Sequence, residues 1–156
     1  MVNNSAFERV ESLLKRHAIH FDMLRHVPVL TSEEAAAVRG VPLATGAKAL
    51  ICKGDSRFVM LVVPADRKLD SKQVRQALAI RALRFASADE LRQLTGLAPG
   101  AIPPFGSLFG IPTYCDSRLA GEERINFNAG DHAISVSMRC TDYLAVELPT
   151  IGCFTA

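Results

Sequence analysis

Apolar residues recur at helical spacing behind polar residues of the kind that cap helices. Serine, threonine and aspartate side chains accept hydrogen bonds from the free N–H groups of a first helical turn, so each one predicts a helix start. The predicted starts are Asn4 or Ser5, Thr31, Asp70, Ser87 and, for a short last helix, Thr141. The expected ends of the three middle helices are near Val38, Leu78 and Thr95.

Six shorter stretches have the composition or the alternation of strands. They are Phe21–Leu24, Ala47–Cys52, Phe58–Val63, Thr113–Cys115, Ile125–Phe127 and Ala133–Met138. Turn-forming residues separate the second from the third, which predicts a β-hairpin with strands buried on both faces. In the last stretch, apolar residues alternate with serines, which indicates one buried face. Helices and strands are intermixed without regular βαβ units, so we expect an α+β fold with a mixed β-sheet surrounded by helices.

Length and composition narrow the class of protein. The chain has 156 residues, of which 49% are hydrophobic and 22% are charged, which suits a single folded domain over residues 1–156. No apolar run approaches the ~20 residues of a membrane span. The first residues also lack the basic and then apolar stretches of a secretory signal peptide. The four cysteines are widely spaced, without a Cys-x-x-Cys pair. The sequence therefore predicts a cytoplasmic protein with reduced thiols and no membrane partner.

Positive charge is concentrated in the middle of the chain. The net charge of the whole chain is only +2, but residues 53–84 carry eight basic and three acidic side chains, a local net charge of +5. Such a segment can contact a few phosphates and give a salt-dependent affinity for nucleic acid. A solvated surface that happens to be basic explains the same numbers, and charge alone favours this second interpretation.

The segment 96–112 cannot form a regular helix or a central strand. Three prolines and three glycines fall within Gly96–Gly106, and proline lacks the backbone donor that both structures need. Loops of this length in compact domains are often functional. The sequence contains none of the common nucleotide-binding, metal-binding or nucleophile motifs. Asp131 and His132 are candidates for an acid–base pair, although neighbours in sequence need not face each other.

Three short segments carry a resemblance to a known family. In Gly46–Lys53 a lysine is followed by apolar residues, Leu94–Gly106 contains a threonine–glycine turn and a Gly-x-x-x-Pro loop, and Ile125–Gly130 precedes the alternating strand. Their order and spacing resemble the YbaK/ProX family of editing domains, which deacylate mischarged tRNA. Members occur as free-standing proteins and as an insertion in some prolyl-tRNA synthetases. The resemblance covers nearly the whole chain.

The resemblance implies hydrolysis of the ester that joins an amino acid to the terminal ribose of tRNA. This reaction needs a held water, a site for the developing oxyanion and a fixed ester. In the family a ribose hydroxyl of the substrate helps to activate the water, and no metal, cofactor or covalent nucleophile is implied. The resemblance assigns catalysis to Lys48, Gly100 and Pro104 and the holding of the amino-acid end to the backbone of Gly100–Pro104. The residues that it assigns to substrate binding are His26, Gly96, Ala101, Ile102, Asn128 and Gly130.

Lys48 has two interpretations. By pattern alone it is a strand-edge lysine whose ammonium reaches water, because burying an unpaired charge is costly. The match to the family's lysine favours an ammonium that points into the site and contacts the terminal phosphate or polarises the ester. Lys53 is the rival, but it lies at the hairpin turn, where solvated lysines are normal.

Two residues depart from the family pattern. Asn128 falls where some members carry a histidine, and an amide can orient a water or an amino group but cannot act as a general base. Ala101 falls where many members have a second glycine, and its methyl group is expected to narrow the pocket. These departures bear on substrate preference more than on the reaction.

The expected substrate is tRNA mischarged with a small amino acid, namely serine, threonine or alanine, with cysteine as a further candidate. Editing is needed for such residues because a binding pocket rejects a near-isosteric amino acid by only ~10–200-fold. The expected partners are the acceptor end of mischarged tRNA and an aminoacyl-tRNA synthetase. Two alternatives stay open: a non-catalytic module that binds tRNA or a synthetase, and a hydrolase of free aminoacyl esters.

Overall fold

The computed structural model describes residues 5–156, and within them the chain forms six α-helices. They are α1 (Ala6–Arg16), α2 (Ser32–Arg39), α3 (Ser71–Leu78), α4 (Ala88–Thr95), α5 (Ser117–Ala120) and α6 (Cys140–Glu147). The predicted caps Ser5, Thr31, Asp70 and Ser87 each accept a backbone N–H of the following turn. These four helix starts are therefore confirmed. Asn4, the alternative start of α1, lies outside the described residues.

The strands form two sheets. They are β1 (Phe21–Arg25), β2 (Ala47–Gly54), β3 (Arg57–Pro64), β4 (Leu83–Phe85), β5 (Thr113–Asp116), β6 (Arg124–Asn128), β7 (Ile134–Arg139) and β8 (Thr150–Gly152). The five-stranded sheet has the order β4-β2-β3-β5-β8 and is mixed, because β5 runs parallel to both β3 and β8. The other sheet has the order β1-β7-β6 and is antiparallel. The α+β class and the hairpin of β2 and β3 are confirmed, and the expected mixed sheet is joined by a second sheet.

The two sheets meet at the start of β2. Gly46 forms an isolated parallel bridge with Asn126 of β6, and the Asn126 side chain donates a hydrogen bond of 3.0 Å to the Thr45 hydroxyl. A shared core fills the space between the elements, with the Phe105 ring set edge-on against Phe127 and Tyr143 at centroid distances of 5.6 and 5.2 Å. The start of β2 is therefore a point of contact between the two sheets.

The irregular segment 96–112 is built into this core. Residues 101–106 are buried, and a short 3₁₀ turn follows at Gly106–Phe109. Strand β3 is buried on both faces as expected, but β2 is not, because Lys48 is exposed. No helix among residues 5–156 is long and apolar enough to cross a membrane. All four cysteines are free, and only Cys153 is exposed.

Candidate active site

A cavity of about 640 Å³ lies at the contact between the two sheets, and both Gly46 and Asn126 line it. Its walls are α2, the start of β2, the chain after β3, the loop around Gly100 and the end of β6. Sites for small molecules measure roughly 300–1,000 Å³, so the cavity has room for an aminoacyl ester. Four of the residues assigned from the sequence line it, namely Lys48, Gly100, Ile102 and Asn128.

Lys48 supplies an exposed positive charge to the lining of the cavity. It is exposed and lines the cavity, and the five ion pairs formed among residues 5–156 do not include it. Lys53, the rival, lies five residues further along β2, about 16 Å away at the strand rise of ~3.3 Å per residue. Its ammonium lies 5.5 Å from the centre of the Phe58 ring. Only Lys48 of the two is placed to meet a ligand in the cavity.

Three successive carbonyls of the loop are each held by a hydrogen bond. The Pro99 carbonyl contacts His132 Nε2 at 3.0 Å, the Gly100 carbonyl accepts from Asn128 Nδ2 at 2.8 Å, and the Ala101 carbonyl accepts from the Gly130 N–H at 2.8 Å. Because the peptide bond is planar and trans, a held carbonyl also fixes the direction of the N–H on the same peptide. The direction of the Gly100 N–H is therefore set by the contact between Pro99 and His132.

Two residues of the loop that line the cavity have backbone N–H groups without an acceptor in the described part of the chain. Gly100 and Ile102 both line the cavity, and neither N–H group donates to an acceptor among residues 5–156. A fixed pair of backbone N–H groups is the arrangement that stabilises the oxyanion of a tetrahedral intermediate. The loop can thus supply donors, and Lys48 the nearby positive charge, for attack on an ester carbonyl.

Arg39 is a cavity residue that sequence reasoning missed. It is the last residue of α2, lines the cavity and donates to Ser135 Oγ at 2.8 Å and to Asn128 Oδ1 at 2.7 Å. Burial lowers the pKa of its guanidinium from 12.5 to about 10. In sequence it looks like an ordinary cation in the last turn of a helix. The partners that give it a role lie about 90 residues further along the chain.

Comparison with known proteins shows which protein family this chain and its cavity belong to. The sequence pattern of the aminoacyl-tRNA editing domain family matches residues 26–146, which is most of the chain and includes every cavity wall. The chain belongs to the aminoacyl-tRNA editing domain family. The family expected from the sequence is thereby confirmed, and aminoacyl-tRNA deacylation is confirmed as its class of reaction.

Relatives of this editing domain include free-standing and multidomain proteins. It is 32% identical over 149 residues to the multifunctional Ser/Thr-tRNA deacylase ProXp-y of Escherichia coli K12, covering 92% of this chain and 89% of that one. It is also 35% identical over 82 residues to the proline–tRNA ligase of Bacillus licheniformis, where the match covers 52% of this chain but 14% of the ligase.

Solved structures share the fold of the editing domain. One, described as a candidate trans-editing enzyme for prolyl tRNA synthetase, superposes with a TM-score of 0.85 at 23% identity and covers 99% of both chains. Another, a hypothetical protein, has a TM-score of 0.88 at 22% identity, over 96% of this chain and 100% of the other. The architecture described above is therefore that of known proteins.

Five residues assigned from the sequence do not line the cavity of the editing domain: His26, Gly96, Ala101, Pro104 and Gly130. Pro104 is buried, and its carbonyl accepts a hydrogen bond of 2.6 Å from the Tyr143 hydroxyl, so it anchors the loop to the core. Ala101 is also buried, with 4% of its surface exposed, so its methyl group does not narrow the cavity as expected. Gly96 is the left-handed cap that ends α4.

The other two of these residues, Gly130 and His26, contact the loop and the partners of Arg39. The carbonyl of Ala101 accepts from the Gly130 N–H, and a side chain at Gly130 would collide with Ala6 of α1. His26 is half-buried, and its Nε2 lies 2.7 Å from the Ser135 hydroxyl that also accepts from Arg39. Gly130 thus supports the loop, and His26 touches the network of Arg39 rather than the cavity.

His132 and Asp131 do not form the acid–base pair considered from the sequence. The Asp131 carboxylate accepts from the backbone N–H of Ala133 at 2.7 Å, whereas His132 lines the cavity and contacts the Pro99 carbonyl. A carbonyl accepts only, so His132 Nε2 carries the proton in this contact. His132 is therefore a cavity residue, but the contact that the structure shows for it is with the loop rather than with Asp131.

Proposed function

We propose that this chain is a trans-acting deacylase that hydrolyses the ester of tRNA mischarged with a small amino acid. The observation that carries the proposal is that Gly100 and Ile102, whose N–H groups have no acceptor among residues 5–156, line the same cavity as the exposed Lys48. Such a site binds an ester carbonyl and stabilises the negative charge that forms on its oxygen when water attacks.

The proposed course of the reaction uses the substrate as well as the protein. The ester lies with its carbonyl oxygen against the two N–H groups, and a ribose hydroxyl of the terminal nucleotide assists the attacking water. Lys48 contacts the terminal phosphate or the ester and so holds the reacting carbon in place. Water adds to the carbonyl carbon, the ester bond to the ribose oxygen breaks, and that oxygen takes a proton as the free amino acid leaves.

Serine, threonine and alanine are the proposed amino acids, and cysteine is the further candidate. The relative from Escherichia coli is named as a Ser/Thr-tRNA deacylase, which supports the first two. The cavity wall around Arg39 and Asn128 offers hydrogen-bonding groups that suit a side-chain hydroxyl.

The proposed macromolecular partner is the acceptor end of tRNA. Arg67 and Lys68 line the same cavity as Lys48, and the acidic lining residues in the described part of the chain are Glu33 and Asp66. This local excess of positive charge suits the phosphates of a single-stranded end. An aminoacyl-tRNA synthetase stays a predicted partner, and co-purification with the matching synthetase would test it.

A deacylation panel tests the function. The purified protein is mixed with tRNAs charged with alanine, serine, threonine, cysteine and proline, and the Lys48→Ala variant is run beside it with Lys53→Ala as the matched control. We expect loss of one or more small amino acids, no turnover by Lys48→Ala and unchanged turnover by Lys53→Ala. Full activity of Lys48→Ala would contradict the role of that lysine.

The same panel separates the two alternatives. Binding of tRNA without cleavage of any charged species would favour a non-catalytic module. Equal rates on mischarged tRNA and on a free aminoacyl ester of a nucleoside would favour a hydrolase that ignores the tRNA body.

A further inference from the structure

Arg39 is held in the cavity wall by neutral groups alone. Its Nε donates to the buried Ser135 hydroxyl and its Nη2 to the Asn128 side-chain oxygen. None of the five ion pairs among residues 5–156 includes Arg39. A partly desolvated cation without a carboxylate is costly to a fold, and even buried ion pairs can often be replaced by apolar residues without loss of stability. Stability is therefore a poor explanation for this arginine.

The guanidinium determines which way the Asn128 amide faces. Arginine has only donors, so the atom of Asn128 that meets it must be the oxygen Oδ1. The NH₂ group is then turned to the opposite side, where Nδ2 donates to the Gly100 carbonyl at 2.8 Å. The chain of contacts runs from α2 through the end of β6 to the loop, and each step fixes the next.

We propose that Arg39 is a positioning residue for deacylation, which acts through Asn128 to hold the Gly100 carbonyl and with it the substrate-facing loop. The inference rests on the proposed function for its kinetic part. A second consequence concerns Asn128, which donates one amide hydrogen to the Gly100 carbonyl and accepts from Arg39 with its side-chain oxygen. Asn128 then serves to hold the loop in place, rather than only to orient a water or an amino group.

A double-mutant cycle tests the inference. The variants are Arg39→Met, Asn128→Ala and the double variant, with Arg25→Gln of the exposed end of β1 as the matched control. A misplacement of about 1 Å at a reacting group can cost up to about 100-fold in rate. We expect each single variant to lower kcat by about 10- to 100-fold with a small change in KM, and the double variant to be no slower than Asn128→Ala. The control should match the parent protein.

Two results would overturn the inference. If the losses of the two single variants multiply in the double variant, Arg39 acts on the substrate directly rather than through Asn128. If Arg39→Met loses thermal stability without a change in kcat at a temperature where it is folded, its role is structural.

Asn128→Asp supplies a variant that keeps the contact with Arg39. The carboxylate still accepts from Arg39 but has no hydrogen to donate to the Gly100 carbonyl. We expect it to fold and to lose as much kcat as Asn128→Ala. Full kcat in this variant would also overturn the inference.

A measurement without turnover separates this inference from the proposed function. In ¹⁵N-labelled protein, the amide resonance of Ala101, whose N–H shares a peptide with the Gly100 carbonyl, and its rate of hydrogen exchange report the state of the loop. We expect Arg39→Met and Asn128→Ala to change both in the same direction, whether or not any tRNA is cleaved. If the parent cleaves nothing while the two variants shift the Ala101 amide alike, the proposed function fails and the positioning contact stands. If Arg39→Met leaves the Ala101 amide unchanged, the positioning inference fails by itself.

Discussion

The Tyr143 hydroxyl donates a hydrogen bond of 2.6 Å to the Pro104 carbonyl, deep beneath the loop that faces the cavity. Tyr143 is fully buried in α6, and its ring packs edge-on against Phe105. Burial raises the pKa of its hydroxyl well above the usual value, so the group stays protonated and remains a donor. One end of the loop is thus fastened to a helix that does not line the cavity.

We expect Tyr143→Phe to destabilise the fold by about 1–3 kcal/mol, because it leaves the buried Pro104 carbonyl without a donor. Urea unfolding followed by circular dichroism measures this loss. The other tyrosine, Tyr114, is only half-buried against Phe154, so Tyr114→Phe is the matched control. Equal midpoints for Tyr143→Phe and the parent protein would count against the anchoring role.

Gly100 is expected to be sensitive to substitution for two reasons. Its φ of +84° is unfavourable for other residues, and a Cβ atom there would lie 3.3 Å from His132 Nε2, the group that holds the Pro99 carbonyl. Gly100→Ala should therefore reduce kcat by about 10-fold or more, since the free N–H groups of the loop move with it.

Gly110→Ala is the control that tests backbone strain without a collision between side chains. Its φ is +70°, but a Cβ atom there would meet nothing within 4 Å. Gly110→Ala should cost about 1 kcal/mol of stability through backbone strain and leave kcat unchanged. If both alanine variants lose the same kcat, the collision with His132 is not the cause.

The basic residues of the middle segment, 53–84, lie in two separate places in the structure. Arg67 and Lys68 line the cavity, whereas Lys53 and Arg57 lie at the far end of the hairpin. For each phosphate contact to a single strand, the slope of log affinity against log salt concentration changes by about 0.7. We expect Lys68→Ala to make this slope for uncharged tRNA shallower by about 0.7 and Arg57→Ala to leave it unchanged. Filter binding at several salt concentrations measures both slopes, and a change confined to Arg57→Ala would refute the division.

Local signals made much of the fold predictable. Capping depends on residues three apart, so Ser5, Thr31, Asp70 and Ser87 marked their helices without any knowledge of the fold. The hairpin was likewise visible in two apolar runs around one turn. The family resemblance supplied Lys48, Gly100, Ile102 and Asn128, which pattern alone did not distinguish.

The features that were missed depend on distant contacts. Strands β4 and β8 have three residues each and pair at the two edges of the mixed sheet, so they leave no periodic signal. Arg39 acquires its role from side chains of β6 and β7, and His132, which the sequence offered only as a partner of Asp131, acquires its contact from the loop. Pro104 was assigned to catalysis because a motif gives spacing along the chain, whereas burial and the contact with Tyr143 follow from packing.

The ion pair between Arg84 and Glu90 makes the stability of the fold depend on pH. Arg84 donates two hydrogen bonds to the Glu90 carboxylate, at 2.7 and 3.0 Å, and the Ser87 N–H donates a third at 2.9 Å. The side-chain bonds from Arg84, followed by the backbone bond from Ser87, lower the pKa of Glu90 from 4.5 to about 2. The carboxylate thus joins β4 to the start of α4 in its charged form.

Because the folded pKa lies below the unfolded one, the pair stabilises the protein fully above about pH 4.5 and ceases to do so as the pH falls to about 2. Glu90→Gln should therefore lower the urea midpoint at pH 7, and its difference from the parent should shrink through this window. Asp89→Asn, in the same helical turn, is the matched control and should show a smaller difference at pH 7, since its pair with Arg92 is exposed. A difference between Glu90→Gln and the parent that is as large at pH 2 as at pH 7 would show that the charge of Glu90 does not stabilise the fold.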